Sequence, residues 1–146
     1  MKFISHRGNL DGKNLELENN PVYIKEAIKK GFDVEIDVWF MDTFYLGHDK
    51  PEYKVTKGFL KNDKLWCHAK NLLALENLQK LKTKYFWHQE DDYTLTSNGF
   101  IWTYPGKKLS KKSICVLPEL KKIRIPKYIS GICSDKIEIY KKKFND

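Results

Sequence analysis

Residues 31–49 read GFDVEIDVWFMDTFYLGHD, and two acidic residues interrupt a run of Val and Ile. Alternate residues of an extended chain share a face, so Val34, Ile36 and Val38 point one way and Glu35 and Asp37 the other. In a sheet covered on both faces the two carboxylates point into protein. Adjacent buried charges are costly unless something cationic compensates them. Carboxylates so placed are hard oxygen ligands for Mg²⁺ or Ca²⁺. His6-Arg7-Gly8 ends the first apolar run, His48-Asp49 follows Gly47, and His68 and Lys70 lie two apart in LWCHAKN. Imidazole exchanges protons near neutral pH. Arg7, one of only two arginines in the chain, offers a planar fork of donors that suits an anion. Gathered at one place, these groups make a cationic, metal-ready site.

Strand-like runs recur at Phe3 to His6, Asp33 to Trp39, Phe44 to Gly47, Leu65 to Ala69, Tyr85 to His88, Phe100 to Tyr104, Ser113 to Leu117 and Tyr128 to Cys133. Pro21 to Lys30 reads as a helix, with Asn20 as its N-cap, Pro21 in the first turn and Gly31 as the stop. Leu72 to Lys82 reads as a second, capped by Asn71, with Leu75, Leu78 and Leu81 on one face. A third fits Ile137 to Phe144. Strand, helix, strand at the start predicts a parallel α/β arrangement, in which the C-terminal ends of strands gather at one rim. Connections of about ten residues in the second half are short for parallel crossovers, which usually need a dozen or more. That half is therefore either tersely connected or partly antiparallel.

The set SHRGN, LEN (Leu17 to Asn19), VEIDV and GHD, with a helix between the second and third, resembles the glycerophosphodiester phosphodiesterase family. The lysine of HAK extends the resemblance to about Asn71, and ISGICSD near the end resembles a closing barrel strand. The resemblance implies a single domain over residues 1–146 with a reduced TIM-type (β/α) barrel, several helices being shortened or missing. It implies metal-dependent hydrolysis of a small glycerophosphodiester to glycerol phosphate and an alcohol, a reaction of lipid metabolism. His6 and His48 would share acid and base roles, and Arg7 and Lys70 would hold the phosphate, Arg7 bidentately. Glu35, Asp37 and the residue at position 68 would hold a divalent ion, with Glu18 supporting them from behind. The resemblance also implies that the substrate's own glycerol hydroxyl attacks first, giving a cyclic phosphate that water then opens.

Two features depart from the family pattern. His68 stands where the family has a glutamate ligand. Imidazole there moves the expected ion from Mg²⁺ or Ca²⁺ towards Mn²⁺ or Zn²⁺, or leaves a weakened barrel that binds a phosphate-bearing ligand without turnover. The chain is 146 residues long, whereas barrels of this type take about 250. Lost helices would leave an apolar flank that a second copy of the chain could cover. Asp135 would also stand at the rim of strand ends, with a cap on the following helix as its plainer reading; His88 reads as a structural or substrate-facing ring, and Trp87, Trp102 and Tyr104 as core or rim aromatics.

Composition bounds the alternatives. An apolar fraction of 41% and an aromatic fraction of 14% fit a folded globular chain. No run approaches the ~18 apolar residues that span a membrane, and Met1-Lys2 leads straight into a strand without a signal-peptide pattern. Cys67, Cys115 and Cys133 are an odd number without metal spacing, as expected for reduced thiols in the cytoplasm. The net charge of +8 comes almost entirely from scattered lysines. That pattern reads as a solvated surface with a mild attraction for anions. A nucleic-acid partner would need a recognition motif that the sequence lacks.

Overall fold

The computed structural model describes residues 1–145. In chain order the elements are β1 (Lys2–His6), α1 (Pro21–Lys29), β2 (Asp33–Phe40), β3 (Phe44–Leu46), β4 (Tyr53–Val55), α2 (Lys57–Leu60), β5 (Leu65–Ala69) and α3 (Leu72–Leu81). They continue with β6 (Tyr85–Trp87), β7 (Tyr93–Leu95), β8 (Ile101–Thr103), β9 (Ser113–Val116), a 3-10 turn (Pro118–Leu120), β10 (Gly131–Ser134) and α4 (Ile137–Asn145). Local chemistry sets the helix starts. The Asn20 side chain accepts from the amide of Val22, and that of Asn71 accepts from the amide of Ala74. No helix is long and apolar enough to cross a membrane among the described residues.

The expected TIM-type barrel is not the architecture. Among the described residues the fold is one mixed ten-stranded sheet with four short α-helices. Its parallel part runs β6-β5-β2-β1-β10-β9-β8. Two strands run against it, β3 on the late half of β2 and β7 on β8, and β4, antiparallel to β3, runs with the parallel part at the far edge. The reason lies in the connections. Between α3 and α4 the only helical segment is the three-residue 3-10 turn Pro118–Leu120, so the repeated strand–α-helix unit that defines such a barrel is absent from β6 to β10. Parallel pairing survives the short links because the strands are short. β8 has three residues, a rise of about 10 Å, and the nine residues 104–112 easily return along it to start β9.

The sheet curls about its own axis. Trp66 on β5 and Trp102 on β8 lie 6.1 Å apart between ring centroids, although β2, β1, β10 and β9 separate their strands. Phe86 closes on Trp102 at 4.5 Å. The edges meet through isolated bonds rather than a strand ladder: Ser97 N donates to Tyr85 O, and Thr94 Oγ1 to Trp87 O. Two cores result. On the convex face, Val34, Ile36 and Val38 pack with Ile24 and Ala27 of α1, Ala74 and Leu78 of α3 and Ile137 of α4. On the concave face, Ile4, Trp66, Phe86, Trp102, Ile114 and Cys133 form an apolar floor. The period-two rule then dictates what stands above that floor. Two residues beyond Ile4, Trp66, Phe86 and Cys133 come His6, His68, His88 and Asp135.

Candidate functional site

Glu35 and Asp37 are 2% and 0% exposed, so both carboxylates of β2 do point into the concave side. They meet the predicted partners. Arg7 Nε lies 2.8 Å from Asp37 Oδ2, His68 Nδ1 3.1 Å from Asp37 Oδ1 and 3.7 Å from Glu35 Oε1, and Lys70 Nζ 3.8 Å from Asp37 Oδ1. His6 Nε2 lies 3.8 Å from Glu35 Oε2. Asn19 grips Asp37 twice, its Nδ2 donating to Oδ2 and its Oδ1 accepting from the Asp37 amide. Burial alone would raise the Asp37 pKa, but His68, Arg7 and Lys70 outweigh it and hold the carboxyl well below the usual range.

Backbone geometry delivers Arg7 to this place. β1 ends at His6, and Arg7 and Gly8 both take positive φ, at 55° and 96°. A side chain at Gly8 would strike the ring of Tyr23, with a Cβ only 2.6 Å from its Cδ1. The turn also brings Glu18, whose carboxylate accepts from Arg7 Nη1 and Asn9 Nδ2 at 3.1 and 2.9 Å. Arg7 thus already engages two carboxylates. The bidentate phosphate grip expected of it is open only to its remaining donors.

The orientation of His68 is informative. Its Nε2 lies 2.7 Å from the main-chain carbonyl of His88, which can only accept, so Nε2 carries a proton. Nδ1 therefore faces Glu35 and Asp37 either as a lone pair or with a second proton. Burial lowers the His68 pKa, but the two carboxylates more than offset it and raise it to about 9. Glu35 Oε2 and Asp37 Oδ1 are buried without a hydrogen-bond partner. One ligand atom from each of Glu35, Asp37 and His68 falls within 4.8 Å of the others. Two orphaned carboxylate oxygens and an inward imidazole nitrogen are a donor set that fits a divalent cation.

His6 and His48 line the same cavity, of about 350 Å³, together with Arg7, Glu35, His68 and Lys70. They differ in setting. His6 is buried and His48 half-exposed at the mouth, 2.7 Å from an exposed Asp49. Gly47, at φ 152°, turns the chain there, and Trp39 Nε1 donates to its carbonyl at 2.7 Å. A Cβ on Gly47 would lie 2.0 Å from the carbonyl oxygen of Lys50.

Residues to which the sequence reading assigned no role in the site complete it. Asp135, read above as a helix cap, instead holds His6. Its Oδ1 lies 2.6 Å from His6 Nδ1 and accepts from Asn9 Nδ2 at 2.8 Å. Burial alone would lower the His6 pKa, but Asp135 and Glu35 raise it. Glu119 fixes Asp135 in turn by accepting from its amide and from Ser134 Oγ. The available signal was parity: Asp135 follows Cys133 by two, as His6 follows Ile4 and His88 follows Phe86. Asn9 and Asn19 carried no such signal, because a turn rather than a strand presents them. Comparison with models of protein families, with curated proteins and with solved structures finds no significant match to this chain.

Proposed function

We propose that this chain hydrolyses a small phosphodiester of the glycerophosphodiester type with the help of a divalent cation. The observation that carries the reading is the convergence of Glu35, Asp37 and His68, with orphaned oxygens, beside the His6–Asp135 pair, at a cavity that Glu35, His68 and His6 line. Glu35, Asp37 and His68 would hold the ion, which when bound neutralises the nonbridging phosphate oxygens. Arg7 and Lys70 supply further positive charge to the phosphate from the cavity wall. Asp135 accepts the Nδ1 proton of His6, so Nε2 faces the cavity as the atom that exchanges a proton with the reacting oxygen. One histidine takes the proton of the attacking hydroxyl as its oxygen bonds to phosphorus. The other protonates the alkoxide released when the second P–O bond breaks. Water opening a cyclic product reverses the two roles. Three unpaired, buried cysteines favour a reducing, cytoplasmic setting.

A second reading has its own support. With a proton on Nδ1, His68 itself compensates Glu35 and Asp37 and occupies the place of the ion. The protein would then bind phosphate-bearing ligands without turnover. Turnover of bis(p-nitrophenyl) phosphate and glycerophosphocholine with Mg²⁺, Ca²⁺, Mn²⁺ and Zn²⁺, beside chelator and His6→Ala controls, separates the two. Hydrolysis that needs a cation and is lost in His6→Ala is expected. The absence of cation-dependent turnover under every ion would remove the hydrolase reading.

A further inference from the structure

The cavity has two unlike walls, and the sheet order explains why. β1, β2, β5 and the residues just past β1 and β5 line one arc with His6, Arg7, Glu35, His68 and Lys70, and Asp37 and Asp135 back it. The opposite arc comes from the ends of β6, β8 and β9, and it lines the cavity with Trp87, His88, Tyr104, Pro105, Leu117 and Leu120. No Asp, Glu, Lys or Arg of that arc lines it. The ring of His88 lies 5.6 Å from that of Tyr104. The apolar wall does not stop at the cavity. Tyr104 is 46% and Leu120 64% exposed, so it runs from the charged end out to solvent.

A cavity charged at one end and apolar along an open exit matches an amphiphile more than a small polar ester. We infer that the ligand is a single-chain amphiphilic phosphodiester. Its phosphate lies at the Arg7–Lys70 end, and its alkyl or acyl chain runs along Trp87, Tyr104 and Leu117 and leaves past Leu120. This deepens the proposed function by naming the substrate class, and it rests on that reading only for the position of the phosphate. The exposed side chains at the exit gain a partner, and the chain's length is not limited by the cavity volume.

The test is binding of monomeric alkylphosphocholines from butyl to decyl, below their micelle concentrations, followed by calorimetry and by the fluorescence of the tryptophans. Affinity should rise about tenfold for every two methylenes buried, then level off once the chain passes Leu120. Inorganic phosphate should compete. Leu120→Asp and Tyr104→Ser should flatten the chain-length dependence while circular dichroism melts show an intact fold. Val22→Asp, at an exposed apolar residue on α1, should leave it unchanged. Affinity independent of chain length, or a dependence untouched by Leu120→Asp, overturns the inference. Chain-dependent binding without hydrolysis removes the hydrolase and leaves the amphiphile. Hydrolysis of glycerophosphocholine with no chain-length dependence does the reverse.

Discussion

A carboxylate 2.6 Å from an imidazole nitrogen fixes both the tautomer of the ring and its aim. Asp135 does this for His6, and its replacement leaves the rest of the cavity in place. Asp135→Asn is expected to lower kcat by about 100-fold with little change in KM. It should also move the His6 limb of the pH–rate profile to lower pH, because Asp135 raises the His6 pKa. A variant with the parent's profile would reduce Asp135 to a structural role. At this scale much of the site was legible. Glu35, Asp37, His6 and His68 sit on strands whose alternation the sequence displays, Lys70 keeps that alternation just past β5, and Arg7 comes from the turn after β1. Asp135 was misread because the position after a strand and before a helix is also where caps occur, and residue type alone does not separate the two.

Between elements, the contacts that set the site are few and local. Asn71 is an instance: its Oδ1 accepts from Ala74 N at the start of α3 and from Phe40 N at the end of β2, and its Nδ2 donates to Phe40 O. One side chain thus caps a helix and pins the strand that carries Glu35 and Asp37. Asn71→Ala should cost about 1–2 kcal/mol in urea unfolding, and a change within a few tenths of a kcal/mol would show the pin to be dispensable. Both α1 and α3 were readable from cap, Pro21 and leucine spacing. β4, α2 and β7 were not, since three or four residues hold too little pattern to separate strand from turn. The barrel expectation failed at this scale too. Strand ends and motifs carry no information on whether a helix lies between β8 and β9, and the nine residues there hold none.

For the molecule as a whole, the buried charges set the pH range of stability. Asp37 and Asp135 have depressed pKa values, so the stability they contribute is complete above the ordinary carboxylate value and lost as pH falls below about 4. His68 acts with the opposite sign. Its pKa is raised to about 9, so without a cation its contribution is complete below about 6.5 and lost as pH rises from there through 9. Chelator-treated protein should therefore melt at lower temperature as pH rises from 6.5 to 9. Saturating Mn²⁺ should abolish that alkaline loss and add about 2.7 kcal/mol of stability at a hundred times Kd. Melting curves that are the same with and without every divalent ion would show that none binds.

Glu119 belongs to the turn that carries Leu120, yet its carboxylate holds Ser134 and the amide of Asp135. Leu120 at the apolar exit and Asp135 beside His6 are therefore tied through one side chain. On the proposed reading, a tail bound at that exit would press on the turn whose carboxylate holds Asp135 in place.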